Sequence, residues 1–171
     1  MSAETLATAA VLVACPQCHS LVRVPEARAA ERPVCPRCKA QVLSGQPVAL
    51  DAGAFAAHVE RATLPVLVDF WAPWCGPCRS FAPVFEQASE QHAGIVFGKI
   101  NTEEQQELAA SFQIRSIPTL MIFRDQIVIF SQPGALPASA FEELIGKAEA
   151  LDMDQVRSQI KSQKSSAAGA D

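Results

Sequence analysis

Short apolar runs alternate with segments of helical periodicity from Val48 onward, a pattern typical of βαβ units around a central sheet. The run from Pro65 to Trp71 is nearly continuous in apolar β-forming residues, as expected of a central strand buried on both faces. Apolar residues at helical spacing predict a long helix from Cys75 to Gln91. The predicted order is βαβαβαββα, and its other elements lie at residues 48–50, 55–62, 95–100, 103–112, 119–123, 127–130 and 137–151.

The two ends of the chain differ in pattern from this middle part. Before it, two Cys-Pro-x-Cys units begin at Cys15 and Cys35 and flank a polar stretch with one short strand signal at residues 21–24. Too few apolar residues surround these units for a core of their own, and a turn cluster at residues 44–47 separates them from the rest. After the middle part, a weak helical pattern runs to Ile160, and residues 161–171 are polar enough to predict disorder. We therefore expect an N-terminal module at 1–46, a main domain at 47–151 and a polar, partly disordered tail at 152–171.

Composition excludes some classes of function. The chain has 171 residues, 49% of them hydrophobic, and a formal net charge of −4, which does not favour nucleic acid or acidic lipid as a partner. No apolar run approaches the roughly 20 residues of a membrane span. Residues 1–14 include Glu4 but no Lys or Arg, unlike a secretory signal. We expect a cytoplasmic protein with an irregular start, and the alternative is a lipoprotein-like box at residues 12–15.

The six cysteines form three CxxC pairs with none left over. In a small secreted protein this count would suggest structural disulfides, but the chain length and the lack of an export pattern favour metal binding and redox catalysis. Cys15, Cys18, Cys35 and Cys38 have the spacing of a four-thiolate zinc ribbon, in which both pairs present their sulfurs to one structural Zn²⁺. Redox-active or vestigial thiols are the alternative.

The three histidines are not assigned to a site. His19 completes a CxxCH sequence that also matches c-type haem attachment, but that interpretation needs export and leaves the second cysteine pair unexplained. His19 is therefore interpreted as a bystander, and His58 and His92 are expected on solvated helix faces.

The third cysteine pair lies where the buried strand passes into the long helix. A cysteine at a helix N-terminus meets unpaired N–H groups and the positive end of the helix dipole, which favours its thiolate. Cys75 is thus the predicted nucleophile, and Cys78, within the first helical turn, is the predicted resolving thiol. Asp69 is the only charge in the preceding strand. Burial would raise its pKa and suit it to proton transfer, and the alternative is a carboxylate turned to solvent at a strand edge.

These residues resemble the thioredoxin family. The match includes residues 68–71, the Trp-Cys-Gly-Pro-Cys sequence at 74–78, Pro83, Lys99, residues 117–119 and residues 134–135, and it covers roughly 48–151. The resemblance implies an α/β thioredoxin fold, with a central mixed sheet flanked by helices, preceded here by a small zinc-ribbon-like module. The module in front resembles that of the bacterial thioredoxin-2 subgroup, because most thioredoxins lack one.

The resemblance also implies roles for the site residues. Asp69 would activate Cys78 as a general base through water, with Lys99 modulating its charge. A cis peptide before Pro118 would face the disulfide, and Ile117 would offer backbone hydrogen bonds to an extended substrate segment. The apolar docking patch would comprise Trp74, Gly76, Pro77, Ile117, Pro118, Gly134 and Ala135.

The implied activity is the reduction of disulfides in substrate proteins. The resemblance implies a monomer whose redox-active disulfide needs no organic cofactor, and an NADPH-dependent thioredoxin reductase that recycles it. The Gly-Pro sequence between the cysteines favours this over a disulfide oxidase or isomerase. A further alternative is a non-catalytic, chaperone-like module whose zinc unit engages partners; intact Asp69 and Pro118 weigh against it. Two departures affect loop geometry: residues 124–126 lack an Asn-Gly or Asp-Gly turn, and Pro133 precedes Gly134.

Overall fold

Two β-sheets organise the part of the chain that the computed structural model describes, namely the backbone of residues 10–168 and the side chains of residues 10–165. The strands are β1 (Ala10–Ala14), β2 (Leu21–Pro25), β3 (Val48–Ala49), β4 (Val66–Trp71), β5 (Val96–Asn101), β6 (Thr119–Arg124) and β7 (Ile127–Pro133). The helices are α1 (Ala52–Phe55), continued by a π-helical segment (Ala56–Arg61), α2 (Gly76–Gln91), α3 (Gln106–Ser111), α4 (Ala138–Ala150) and α5 (Met153–Ala168), and a 3₁₀ helix occupies Glu26–Glu31. From β3 to α4 the order is the one predicted from the sequence.

The larger sheet has five strands in the order β3-β5-β4-β6-β7. Strands β3 and β4 run parallel to β5, whereas β6 is antiparallel to both β4 and β7. The predicted mixed sheet is therefore confirmed. Its central strand, β4, is buried from Val66 to Phe70, which agrees with the nearly continuous apolar run seen in the sequence.

Helices cover both faces of this sheet. On one face, Phe55 of α1 packs in a cluster with Phe70 of β4. On the other face, Phe85 of α2 packs in a cluster with Leu67 of β4. Because side chains alternate along a strand, Asp69 lies on the same face as Leu67, the face that α2 covers.

The strands β1 and β2 form a separate, antiparallel two-stranded sheet. Its buried residues Val13, Val22 and Val24 form one cluster with Cys15 and Cys35. The sequence predicted an irregular start through residue 14, and for residues 10–14 that prediction is wrong. The sequence also predicted that the section with the two Cys-Pro-x-Cys units has no core of its own, and the buried cluster corrects that prediction. β-branched residues at alternate positions give these strands a common buried face. Residues 1–9 lie outside the described part of the chain.

This small sheet packs against the larger domain along β1. The Thr63 backbone N–H donates to the Leu12 carbonyl at 2.8 Å, and the Leu12 N–H donates to Thr63 Oγ1 at 2.9 Å. Ala14 is buried in a cluster with Ala57 and Ala62. The outer edge of β1 is therefore covered at Leu12 by the segment that follows α1.

His58 lies in this contact between the two sheets. It is 1% exposed, and its ring meets that of His19 edge to face with centroids 5.7 Å apart. Burial, and the nearby His19, lower the pKa of His58 to about 4. The prediction that His58 lies on a solvated helix face is wrong, because local periodicity does not show that the N-terminal module covers that face. His92 is partly exposed, and its Nε2 lies 2.7 Å from a Glu142 oxygen.

Three element boundaries differ from the prediction by three residues, each for a local reason. α1 begins three residues early, because Asp51 accepts the Ala54 N–H at 2.8 Å and caps the helix. α3 begins three residues late, because the Asn101 side chain accepts the Glu103 N–H at 3.0 Å and holds a turn there. β7 extends three residues further, because it stays paired with β6 as far as the first residue of β6.

The hairpin between β6 and β7 turns on Asp125 and Gln126, whose φ angles are +52° and +66°. A tight turn thus forms without the glycine that such a conformation usually favours. Contacts from outside the hairpin hold it: Arg157 of α5 donates to Asp125 at 2.7 Å, and the Gln126 side chain donates to the Glu60 carbonyl. The departure from the family's turn sequence therefore leaves the hairpin intact.

The C-terminal segment is helical where disorder was predicted. α5 continues through residue 161 to Ala168, since Gln, Lys and Ala are good helix formers and Met153 is buried at its start. Residues 169–171 lie outside the described part. Between residues 10 and 168, no helix is both long enough and apolar enough to cross a membrane.

Candidate active site and metal centre

Cys75 and Cys78 form a disulfide where β4 passes into α2. Cys75 is the N-cap of α2, and its Sγ accepts the Cys78 N–H at 3.2 Å. This N–H is one of the donors that a helix start leaves unpaired, and together with the helix dipole it favours a thiolate at Cys75 after reduction. The structure therefore places Cys75 at the N-terminus of α2 and Cys78 inside its first turn. That Cys75 is the nucleophile stays a prediction.

A buried carboxylate lies on the same face of the sheet as this helix. Neither oxygen of Asp69 has a hydrogen-bond partner within the described residues, and burial raises its pKa to about 7, against the opposing charge of Lys99. Lys99 stands opposite Asp69 on β5, and its Nζ lies 4.5 Å from the centroid of the Trp71 ring. Asp69 is therefore able to exchange a proton near neutral pH, whereas a carboxylate turned to solvent is excluded.

Two loops meet beside the disulfide, at the end of the sheet where β4 and β7 end and β6 begins. The peptide bond between Ile117 and Pro118 is cis. The Ile117 carbonyl oxygen lies 3.8 Å from Cys75 Sγ. Gly134, with a φ of +105° that favours glycine, donates its N–H to the Pro118 carbonyl at 2.7 Å. The structure thus brings the cis-proline loop and the Gly134 turn to the sulfur atoms; the roles of these residues in binding stay predictions.

The residues predicted to form the docking patch differ in exposure. Trp74 is 64% exposed, Ile117 is partly buried and Pro118 is buried, whereas the other members are exposed, namely Gly76, Pro77, Gly134 and Ala135. The Trp74 Nε1–H donates to the carboxylate of Glu103. Glu103 was missed in the sequence, because nothing local connects two residues that lie 29 positions apart.

The second cysteine centre has the donor set of a zinc site. Among Cys15, Cys18, Cys35 and Cys38, all four sulfurs lie within 4.8 Å of one another and none is in a disulfide. The Cys15–Cys38 and Cys18–Cys35 sulfurs are 3.5 and 3.7 Å apart. In a tetrahedral zinc site with Zn–S bonds of about 2.3 Å, neighbouring sulfurs are about 3.8 Å apart. These residues fit a structural Zn²⁺.

The two Cys-Pro-x-Cys units fold in the same way. The Cys15 N–H donates to the Ser20 carbonyl at 2.8 Å, and the Cys35 N–H donates to the carbonyl five residues later at 2.7 Å. His19 and Lys39, which follow the second cysteine of each unit, have positive φ angles of 60° and 69°. Two matching turns therefore present their sulfurs to a common centre, as the duplicated motif predicted.

Comparison with known proteins assigns the larger domain. The thioredoxin family model matches residues 46–147, which include the disulfide, Asp69 and the cis-proline loop. The chain belongs to the thioredoxin family. It is 56% identical over 102 residues to "Putative thioredoxin 2" of Streptomyces coelicolor, an alignment that covers 60% of this chain and 76% of the relative. It is 39% identical over 126 residues to "Thioredoxin C-3" of Corynebacterium nephridii, covering 74% and 87% of the two chains.

A solved structure supports the thioredoxin fold. A mutant thioredoxin from Halobacterium salinarum superposes with a TM-score of 0.58 at 31% sequence identity, over 63% of this chain and 95% of that one. Family membership and the Cys75–Cys78 disulfide together make the chain a thiol–disulfide oxidoreductase. The family match begins at residue 46, so the four-cysteine centre lies outside the thioredoxin domain.

Proposed function

We propose that this thioredoxin is a protein-disulfide reductase. The observation that carries the proposal is the unpaired, buried Asp69 on the α2 face of the sheet, behind a disulfide whose Cys75 caps that helix. In the first step, the Cys75 thiolate attacks one sulfur of a target disulfide. A bond forms between Cys75 and that sulfur, the target S–S bond breaks, and the second target sulfur leaves as a thiolate.

The second step releases the target. Asp69 takes the proton of the Cys78 thiol, through a water molecule, because its pKa of about 7 suits transfer at neutral pH. The Cys78 thiolate then attacks Cys75 Sγ, which forms the intramolecular disulfide and frees the target sulfur as a thiolate. Two electrons have passed from the dithiol to the target. Lys99 opposes the effect of burial on the pKa of Asp69 and so keeps part of the carboxyl ionised.

The target lies, in this proposal, as an extended segment across the docking patch. Ile117, whose carbonyl oxygen lies 3.8 Å from Cys75 Sγ, would offer backbone hydrogen bonds to this segment. The exposed ring of Trp74 would offer it an apolar contact. The remaining members of the patch frame the sulfurs without bulky side chains, namely Gly76, Pro77, Pro118, Gly134 and Ala135. This geometry fits a wide range of protein disulfides.

We also propose that the N-terminal module holds one structural Zn²⁺ through its four cysteines. When bound, zinc closes a tetrahedral site of four thiolates with no open position, so it supplies folding energy and no catalysis. X-ray absorption at the zinc edge should show four sulfur neighbours at about 2.3 Å. Metal analysis should give one zinc per chain, and a nitrogen ligand or an unfilled site would contradict the assignment.

The cell would recycle the oxidised enzyme with an NADPH-dependent thioredoxin reductase. Four cysteines outside any disulfide in one centre and a proposed dithiol reductant in the other fit the reducing cytoplasm, which we propose as the location of this protein. The proposed chemistry uses residues of one chain, so the monomer is the proposed active form. The Gly-Pro sequence between Cys75 and Cys78 favours reduction over disulfide formation or isomerisation.

An insulin assay tests the proposal. The full chain, thioredoxin reductase and NADPH should together reduce insulin disulfides and consume NADPH in equal amounts. Omitting the chain gives the background, and replacing insulin by reduced insulin controls for idle NADPH oxidation. NADPH consumption at background level would contradict the proposed reductase activity, whereas faster oxidation of reduced substrates than reduction of insulin would indicate an oxidase.

A further inference from the structure

The N-terminal module has a groove that the proposed redox chemistry does not use. It has a volume of about 450 Å³ and lies between β2 and the segment that follows the 3₁₀ helix. Its lining combines aliphatic and charged side chains, and includes Val22, Val24, Val34, Arg23, Arg28 and Arg32. Val34 is 54% exposed, which is unusual for a large apolar side chain.

One wall of this groove is the free edge of β2. The N–H of Leu12 in β1 donates a hydrogen bond to Thr63 Oγ1, and the Leu12 carbonyl accepts one from the Thr63 N–H. These groups of Leu12 therefore point away from β2. Arg23 stands directly opposite Leu12, and in an antiparallel pair the backbone groups of two such residues point outward together. The N–H and carbonyl of Arg23 therefore face the groove. Within residues 10–168 no third strand pairs with this edge.

The charge of the module is opposite to that of the rest of the chain. Residues 10–46 contain five basic and two acidic residues, whereas residues 47–171 contain nine basic and fifteen acidic ones. Arg28 pairs with Glu31 at 2.9 Å, but the ion pairs of the described residues include neither Arg23 nor Arg32. Two guanidinium groups at the groove are thus free to pair with carboxylates from another molecule.

We infer that this groove binds an extended, acidic segment of a partner protein, which adds as a third strand to the free edge of β2. Backbone hydrogen bonds to Arg23 would supply the register, Val34 would cover apolar side chains, and Arg23 and Arg32 would pair with acidic ones. Nucleic acid is disfavoured as the occupant, because residues 1–46 contain no Phe, Trp or Tyr on which bases could stack. The inference is independent of the disulfide chemistry.

The test is a titration of the full, zinc-loaded, ¹⁵N-labelled chain with the peptide acetyl-Glu-Val-Glu-Val-Glu-amide. We expect saturable shifts of the Leu21 and Arg23 amide signals, and about tenfold weaker binding to the Arg23→Glu/Arg32→Glu variant. The Lys161→Glu/Lys164→Glu variant has the same net charge and should bind like the wild type. Insulin reduction should be the same in all three proteins.

Two further peptides separate strand addition from simple charge attraction. In an extended strand, the N–H groups of alternate residues point to the same edge, and N-methylation removes them as donors. One peptide is methylated at its valines and the other at its glutamates. Only one of the two loses the N–H groups that face β2, so one should bind and the other should not. The peptide acetyl-Lys-Val-Lys-Val-Lys-amide should not bind.

Several results would overturn the inference. One is equal binding of the two N-methylated peptides. Another is a set of amide signal shifts centred on Trp74 and not on β2. A third is binding of a dT oligonucleotide at the same arginines as tightly as the acidic peptide. Binding that appears only after deletion of residues 1–9 would also overturn it, because the chain's own N-terminal residues would then be the occupant.

Discussion

The two cysteine centres of this chain are built from the same CxxC motif and differ in what surrounds the sulfurs. Cys75 caps a 16-residue helix that follows a buried strand, and a backbone N–H donates to its sulfur. In the N-terminal module, Cys15 and Cys35 each begin a tight turn, and the two turns face each other across four sulfurs. A single CxxC pair at a helix start favours one reactive thiolate, whereas two CxxC pairs that face each other favour a closed metal site.

The surroundings sharpen this difference. Near the first centre lies the buried Asp69, whose pKa is raised by burial to about 7, and we propose that it moves a proton during each cycle. Around the second lie the valines Val13, Val22 and Val24, and Ser20 Oγ lies 3.3 Å from Cys18 Sγ. Among the described residues, the side chains that meet there as possible metal ligands are four cysteines and no carboxylate. The motif alone therefore does not set the chemistry; the secondary structure and the neighbouring side chains do.

The largest expected effect comes from the nucleophile. Cys75→Ser should reduce insulin turnover to the uncatalysed background, whereas Cys78→Ser should accumulate covalent complexes with targets, because the mixed disulfide is no longer resolved. Mass spectrometry of adducts with a disulfide-containing target checks both variants. Adducts on Cys75→Ser and none on Cys78→Ser would reverse the assignment of the two sulfurs.

Removal of the buried charge should affect stability and rate in opposite directions. Burial raises the pKa of Asp69 from 3.8 to about 7. Between these pH values, Asp69 is protonated in the folded chain and ionised in the unfolded chain, so the free energy of unfolding falls as the pH rises. The stability that is present below pH 3.8 is fully lost once the pH has risen through 7. Asp69→Asn removes this loss, so the oxidised variant should be more stable than wild type by about 4 kcal/mol at pH 8 and about 2 kcal/mol at pH 5.

Denaturant unfolding at the two pH values measures this difference. Asp51→Asn is the matched control, since Asn caps a helix as well as Asp does and residue 51 is exposed. Asp69→Asn should also slow insulin reduction at neutral pH. An equal rate between pH 6 and 8 at saturating reductase would remove Asp69 from the mechanism.

Deletion of residues 1–45 should leave a folded, redox-active thioredoxin domain of lower stability. The sheet, the Cys75 helix and the Pro118 loop all lie downstream of the deletion. The cost should be about 3 kcal/mol, because the three hydrogen bonds between Leu12 and Thr63 are lost at about 1 kcal/mol each. The deletion also exposes His58. Thermal unfolding and the insulin assay check this; an unfolded or inactive fragment would show that the two parts form one unit.

The smallest effect is expected at the indole of Trp74. Glu103→Ala removes the acceptor of the Trp74 N–H and should raise the KM for insulin about two- to fivefold, with a change in tryptophan fluorescence. Glu103→Gln keeps an acceptor and should restore both values. If the two variants behave alike, the charge of Glu103 matters and the position of the ring does not.

Much of this architecture could be predicted from local pattern. The continuous apolar run of β4, the helical spacing of α2 and the duplicated Cys-Pro-x-Cys units each identify their element within a short window. The CxxC at the strand–helix junction and the carboxylate inside the strand likewise identify the site, because the relevant chemistry depends on residues only a few positions apart. The cis peptide before Pro118 was implied by the family resemblance and is present.

The parts that were missed depend on contacts between distant segments. His58 looks solvated on its own helix and is buried by residues some 40 positions away. Glu103 reaches Trp74 only after β5 aligns beside β4. The turn at Asp125 lacks glycine and is held by Arg157 of α5, a helix for which the sequence showed only a weak pattern as far as Ile160.

One crossed measurement tests the division between the two centres most directly. Zinc content and insulin reduction are measured on the same samples of wild type, Cys75→Ser/Cys78→Ser and Cys15→Ser/Cys18→Ser, all of the full chain. The account predicts that the first double variant retains one zinc and loses all reductase activity, whereas the second loses the zinc and keeps reducing insulin. Loss of both properties in either variant, or turnover that persists without Cys75 and Cys78, would contradict it.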